Sequence, residues 1–152
     1  MDLSFCPMLV VKPGTVFQPL KKIAFATEFR CAEQDLNIVY RLVAFAKLLN
    51  IEILLVHIAN PGENPETLHK TLERYLLDLS NKADYPNIYY RLVQNRDMEG
   101  GLTWLCDHGQ VDMLAMAHRP QNALADYFES SRTKRMNTLL ALPLLIFPLI
   151  EN

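Results

Sequence analysis

Apolar runs of strand length alternate with amphipathic stretches of helical period along most of this chain, and no other feature narrows the possible folds as much. Ile23-Ala24-Phe25-Ala26-Thr27 is the first such run in the alternating part of the chain. It is followed by a polar stretch whose Glu33 and Asp35 suit the first turn of a helix, where acidic groups meet the positive end of the backbone dipole. Leu36, Val39, Leu42, Val43, Ala46 and Leu49 then recur at three- and four-residue steps, one apolar stripe of an α-helix. Residues 51–58 are almost continuously apolar, as a strand covered on both faces should be, and Asn60-Pro61-Gly62 ends them. The pattern predicts a second helix over 65–83, carrying Leu68, Leu72, Tyr75, Leu76 and Leu79, and a strand over 88–93. Leu102, Leu105 and Cys106 mark a short helix closed by Gly109; a strand over 111–117, a helix over 130–140 and a strand over 144–147 complete the series.

Five strands separated by helical crossovers imply an α/β three-layer sandwich, with a five-stranded, mostly parallel sheet between two helical layers. In open sheets of this kind a ligand sits beyond the carboxyl ends of the strands, where the strand order reverses. Three residue pairs terminate strands and are therefore candidates: Thr27 and Glu28, His57 and Ile58, Ala117 and His118.

A sixth strand-like segment lies ahead of the series. Cys6-Pro7-Met8-Leu9-Val10-Val11 has a near copy in Leu142-Pro143-Leu144-Leu145-Ile146-Phe147, each a proline followed by an apolar run. One domain seldom needs two closing strands, so residues 1–19 read as the closing strand and linker of a preceding repeat, and 20–152 as one complete domain. Lys12-Pro13-Gly14-Thr15 and Pro19 punctuate the linker. The 152 residues, half of them hydrophobic, suffice for one independent core.

The same residues bound the function. A net charge of -2 gives no long-range attraction to nucleic acid or anionic membrane. The longest apolar stretch, 139–150, is interrupted by Pro143 and Pro148, whereas a membrane helix needs roughly 20 residues. With no basic-then-apolar leader visible, a cytoplasmic location is expected. Cys6, Cys31 and Cys106 are odd in number and widely spaced, the pattern of free thiols rather than of a disulfide framework. His57, His69, His108 and His118 are scattered, and no metal site is expected. A strand-end histidine such as His57 is read as one satisfied by a neighbouring backbone carbonyl.

Over residues 20–147 the chain resembles the universal stress protein family. Lys22-Ile23-Ala24-Phe25-Ala26-Thr27-Glu28-Phe29 is similar to the family's opening strand, Ile53-Leu54-Leu55-Val56-His57-Ile58 to its second, and Val111-Asp112-Met113-Leu114-Ala115-Met116 to its fourth. Pro143-Leu144-Leu145-Ile146-Phe147 resembles its final strand. The resemblance implies a Rossmann-like, adenine-nucleotide alpha-hydrolase-like fold, often present as tandem pairs. It further implies pairing of final strands between domains, with Pro7, Met8, Leu9, Val10, Val11, Leu144, Leu145, Ile146 and Phe147 as the contact.

The family's nucleotide-binding members carry Gly-x2-Gly-x9-Gly-Ser/Thr after the fourth strand, where backbone amides approach the phosphates. The matching positions here are Ala117, Pro120, Ser130 and Ser131, so all three glycines are replaced. Pro120 has no amide hydrogen, and Ala117 and Ser130 bring side chains where close approach needs none. Glu28 stands where the family usually has Asp. The nucleotide positions implied by the resemblance are Ala26, Thr27, Glu28, His57, Ile58, Ala117, His118, Arg119, Ser130, Ser131, Arg132 and Thr133.

With no catalytic set in view, the expected function is non-enzymatic. It is a stress-response domain acting through a homodimer, an intramolecular mate domain or another protein partner, with a degenerate nucleotide loop and no cofactor. The alternative is an adenine-nucleotide (ATP or AMP) module in which Arg119, Arg132, Lys134 and Arg135 replace the missing amides. A thiol sensor using Cys31 or Cys106 is a third reading.

Overall fold

The computed structural model describes residues 6–27, 32–118 and 141–148. The elements run β1 (Met8–Val10), β2 (Lys22–Ala26), α1 (Ala32–Leu49), β3 (Glu52–Ala59), α2 (Pro65–Ala83), β4 (Ile88–Gln94), α3 (Met98–His108), β5 (Met113–His118) and β6 (Leu144–Pro148). The helix expected over 130–140 lies outside the described residues.

The strands form one sheet in the order β1-β6-β5-β2-β3-β4, parallel throughout except for β1. Five strands were expected and six are present among the described residues. The additional one is β1, which the sequence reading assigned to a preceding domain and which pairs antiparallel with β6 of its own chain. The register sets Met8 opposite Ile146, Leu9 opposite Leu145 and Val10 opposite Leu144. Because the two segments are near copies, Leu9 and Leu145 are equivalent residues, and they face each other at the centre of the pair. That is the local two-fold arrangement of a strand meeting its own counterpart.

Helices α1 and α2 pack against each other and contribute to one core cluster, with Ile23, Phe25, Val39, Leu42, Ile53, Leu55 and Leu79 inside it. A second cluster on the other face holds Ala24, Leu54, Val56, Ile58, Leu102, Leu105 and Leu114, with α3 as its cover. Alternate residues of β2 and β3 enter opposite clusters, which is why these strands read as continuous apolar runs. Each large side chain removed from water contributes about 1.5–3 kcal/mol.

Local signals set the helix ends. Asn64 caps α2, its side chain accepting from the amides of Glu66 and Thr67, with Pro65 at the start where its missing N–H costs nothing. Asp97 caps α3 by accepting from Gly100 N at 2.6 Å. Gly109 closes α3, but its φ is -76°, so it is not the left-handed residue; that is Gln110 at φ 51°. Glycine is required there because a Cβ would lie 2.5 Å from the Leu105 carbonyl oxygen. At the far end Tyr85 donates to Ile51 O at 2.6 Å, and Lys47 donates to Ala83 O, tying α1, α2 and β3 together. Among the described residues, no helix is long and apolar enough to cross a membrane.

Candidate functional site

The chain winds outward from β2 through β3 to β4 and then crosses to β5 on the other side of β2. The strand order therefore reverses between β2 and β5, and the crevice beyond their carboxyl ends is where this architecture admits a ligand. Ala26 stands opposite Met116 in the register, which brings Thr27 and Ala117 to the same end of the sheet. Ala117 is buried opposite Phe147, and His118 lies opposite Pro148 at the last position of β5. Ile58 points into the core beneath α3 rather than into the crevice, where it contacts the helix at Gly101. Glu28, Arg119, Ser130, Ser131, Arg132 and Thr133 lie outside the described residues.

A buried polar chain occupies the ends of β2 and β3. Thr27 is bound from three sides: its amide donates to Val56 O at 2.9 Å, its hydroxyl donates to Asp35 Oδ2 at 2.5 Å, and its carbonyl lies 3.0 Å from His57 Nδ1. The carbonyl expected beside His57 is thus that of Thr27. A carbonyl only accepts, so this contact fixes the ring proton on Nδ1 and leaves Nε2 directed at Glu63, 3.6 Å from Oε2. Glu63 also accepts from Asn60 N at 2.7 Å, which folds the β3–α2 loop back over the histidine. Asp35 is 1% exposed, and a carboxylate taken so far out of water needs donors; the Thr27 hydroxyl is one, and the first turn of α1 supplies favourable backbone polarity.

Sequence reasoning brought Thr27 and His57 to the site but missed Asp35 and Glu63 as members of it. Asp35 suits the first turn of a helix in the sequence, and nothing there marks it as buried. The signal for Glu63 was its place directly after Asn60-Pro61-Gly62, where a turn returns the next side chain toward the strand end. Asp112 was likewise quoted only as a strand leader; its Oδ2 accepts from the amides of both Lys21 and Lys22 at 2.9 Å, anchoring the linker to the start of β2.

Of the segments expected to form an association surface, Leu144 and Phe147 are buried, while Leu145 and Ile146 are half-buried beside β1. Pro7, Leu9 and Val11 are exposed, and Met8 and Val10 half-buried. Of the thiols, Cys6 is exposed, and Cys106 is pushed up from 9.0 to about 11 by burial and, secondarily, by the neighbouring Asp107 charge. Cys31 lies outside the described residues.

No protein-family model and no curated protein sequence matches the chain. Solved structures do. A universal stress protein in complex with cAMP is similar at TM-score 0.62 and 17% identity, over 86% of this chain and 98% of that one. A universal stress protein from Archaeoglobus fulgidus DSM 4304 is similar at TM-score 0.64 and 11% identity; the match covers 95% of this chain but spans 50% of that one. One from Archaeoglobus fulgidus in complex with dAMP is similar at TM-score 0.53 and 12% identity, over 86% of this chain and 99% of that one. Together with the sheet order and the crevice between β2 and β5, these likenesses give the chain the universal stress protein fold.

Proposed function

We propose that this chain is a stress-protein-type domain that acts by association through its closing strand, not by catalysis, and that its nucleotide loop is degenerate. The observation that carries the reading is the β1–β6 register, in which two near copies of one segment meet about the Leu9–Leu145 pair. A strand that accepts a near copy of itself in a two-fold register is suited to accept the same segment from a second chain. The tether between β1 and β2, residues 11–21, has no regular secondary structure and is exposed apart from half-buried Leu20. Fully extended it would span roughly 35–40 Å, enough to seat β1 on its own β6 or on that of a second copy. The proposed unit is a homodimer whose contact includes β1 and β6.

Two features support weak or absent nucleotide binding. Ala117, Pro120 and Ser130 occupy the glycine positions implied by the resemblance. In addition, the Thr27 amide, hydroxyl and carbonyl all engage protein groups. The cAMP and dAMP held by the two structural neighbours favour the other reading, an adenine-nucleotide module.

Two measurements decide. Light scattering at tens of micromolar should give a dimer for the wild type and a monomer for Leu9→Lys, a change on the exposed side of the pair that leaves β6 untouched. Millimolar ATP should leave the melting temperature unchanged, since a ligand at about 100 times its dissociation constant stabilises by roughly 2.7 kcal/mol. A monomeric wild type would end the association reading; a shift of several degrees with ATP would establish the alternative.

A further inference from the structure

Whereas β1 borders one side of the sheet, β4 borders the other, and among the described residues no strand lies on its outer side. Ile53 N donates to Asn87 O and Asn95 N donates to Ala59 O, which fixes the phase of the β3–β4 ladder. Odd-numbered residues of β4 turn their backbone groups to β3, so the N–H and C=O of Ile88, Tyr90, Leu92 and Gln94 point outward. A groove of about 640 Å³ runs along this edge, lined by six consecutive residues from Tyr90 to Asn95. A run of consecutive residues means that the strand's edge, and not one face of it, forms the floor. One wall is built on α2, where His69 Nδ1 lies 3.2 Å from Tyr90 Oη, and the other on α3 by half-exposed Trp104.

We infer that the β4 edge is a docking site for an extended peptide that adds to the sheet antiparallel and sets an acidic side chain opposite Arg91. Two observations select that occupant. Arg91 lines the groove half-buried and makes no ion pair with any described residue, a cation partly removed from water that a carboxylate would satisfy. A second copy is disfavoured by the same residue. The antiparallel register in which all seven residues of β4 pair with their own copy is centred on residue 91, because 88 meets 94 and 90 meets 92. Arg91 would then face Arg91 in a non-hydrogen-bonded pair with Cα atoms about 4.5 Å apart, where like charges are destabilising. A peptide with Glu or Asp at that position replaces the repulsion with an attraction and uses the same outward amides.

This site lies at the opposite edge of the sheet from β1 and β6, so its test is independent of the association proposed above. The probe is a fluorescein-labelled nine-residue peptide of alternating Thr and Val with a central Glu, together with its Lys-centred twin, titrated by anisotropy onto the full chain. The Glu peptide should bind with at least about fivefold the affinity of the Lys twin, and Arg91→Glu should reverse the order. If that variant does not fold, Arg91→Gln should erase the difference. N-methylation of the two Val flanking the Glu, whose amides would face β4, should abolish binding; methylation of the next Thr on each side should not. Gln94→Pro removes an outward N–H without touching the β3 ladder, so it should fold and weaken the Glu peptide. Hydrogen exchange at Tyr90 and Leu92 should slow on binding. Equal affinity for the two peptides, binding by neither at millimolar concentration, indifference to Val methylation, or protection of these amides that rises with protein concentration alone would each overturn the inference.

Discussion

Gly101→Ala should destabilise this protein although it replaces glycine inside a helix, and the sign should reverse when Ile58 is also truncated. A Cβ at position 101 would lie 2.6 Å from Ile58 Cγ2, 2.8 Å from Cδ1 and 2.9 Å from Cγ1. Carbon atoms rest at about 3.5–4.0 Å, so the overlap approaches 1 Å against three atoms of one buried side chain. Either α3 lifts from β3 or Ile58 leaves its rotamer, and insertions of this kind cost about 1–3 kcal/mol. Against that stands the helix preference for Ala over Gly, about 0.8–1.0 kcal/mol. Contacts this short place the strain in the upper part of its range, so the net loss should be about 1–2 kcal/mol, or a fall in Tm of roughly 3–6 °C.

In an Ile58→Ala background every one of the three contacting atoms is absent. That single change should cost about 2–5 kcal/mol for the lost packing and the cavity. Adding Gly101→Ala should then recover about 1 kcal/mol, from helix preference and from a methyl group entering the space. The assay is urea unfolding of the four proteins, with the midpoint compared at constant m. A Gly101→Ala effect that is neutral or stabilising in the wild-type background, or effects additive to within about 0.5 kcal/mol, would refute the claim that α3 is held against β3 by the absence of this one carbon.

Thr27→Val should cost about 1.5–3 kcal/mol by removing the hydroxyl donor to buried Asp35, and Thr27→Ser should retain most of that stability; thermal unfolding at pH 7 distinguishes them. Asp112→Ala should speed hydrogen exchange at the Lys21 and Lys22 amides while leaving β4 unaffected, as read by mass spectrometry on peptides from each segment. Iodoacetamide at pH 8 should modify Cys6 readily and Cys106 about a hundredfold more slowly than an ordinary thiol of pKa 9.0, as peptide mapping would show. The sign for stability follows: the folded thiol titrates at about 11 and the unfolded one near 9.0, so the fold keeps this contribution below pH 9 and loses it as the pH rises toward 11. Rapid native modification of Cys106 at pH 8 would favour the thiol-sensor reading.

The parallel strands were legible because burial on both faces leaves a continuous apolar run, and β3 shows this most fully, with seven of its eight residues buried. Helix α2 was legible to its end residues because Asn64, Pro65 and the residues after them carry their own capping chemistry. What escaped was tertiary. Asp35 looks like any first-turn acid, and only the meeting of α1 with the end of β2 reveals it as the acceptor for Thr27. The meeting of β1 with β6 was legible because the two segments are near copies, whereas its antiparallel register follows only from the fold. Gly109 was legible as the end of α3, but its reason is tertiary: the glycine meets a steric demand from Leu105, and the left-handed residue follows it. The groove along β4 gave no sequence signal, since residues 69 and 104 reach it from two different helices and meet the strand only in the fold.

The two borders of the sheet are managed by opposite means, and the difference bears on how the domain can associate. An open edge invites pairing, and a protein must cover it or make the wrong partner unfavourable. At β6 the cover is a near copy of the strand itself, apolar opposite apolar, in a register that a second chain could reproduce without any clash of charge. At β4 the edge stays open among the described residues, and Arg91 sits at the one position where full self-pairing would juxtapose like charges. A border that tolerates its own kind and a border that repels it do not compete for the same occupant. Association through β6 therefore leaves β4 available, and a dimer built on the first edge would present two copies of the second, facing outward at the far ends of one continuous sheet.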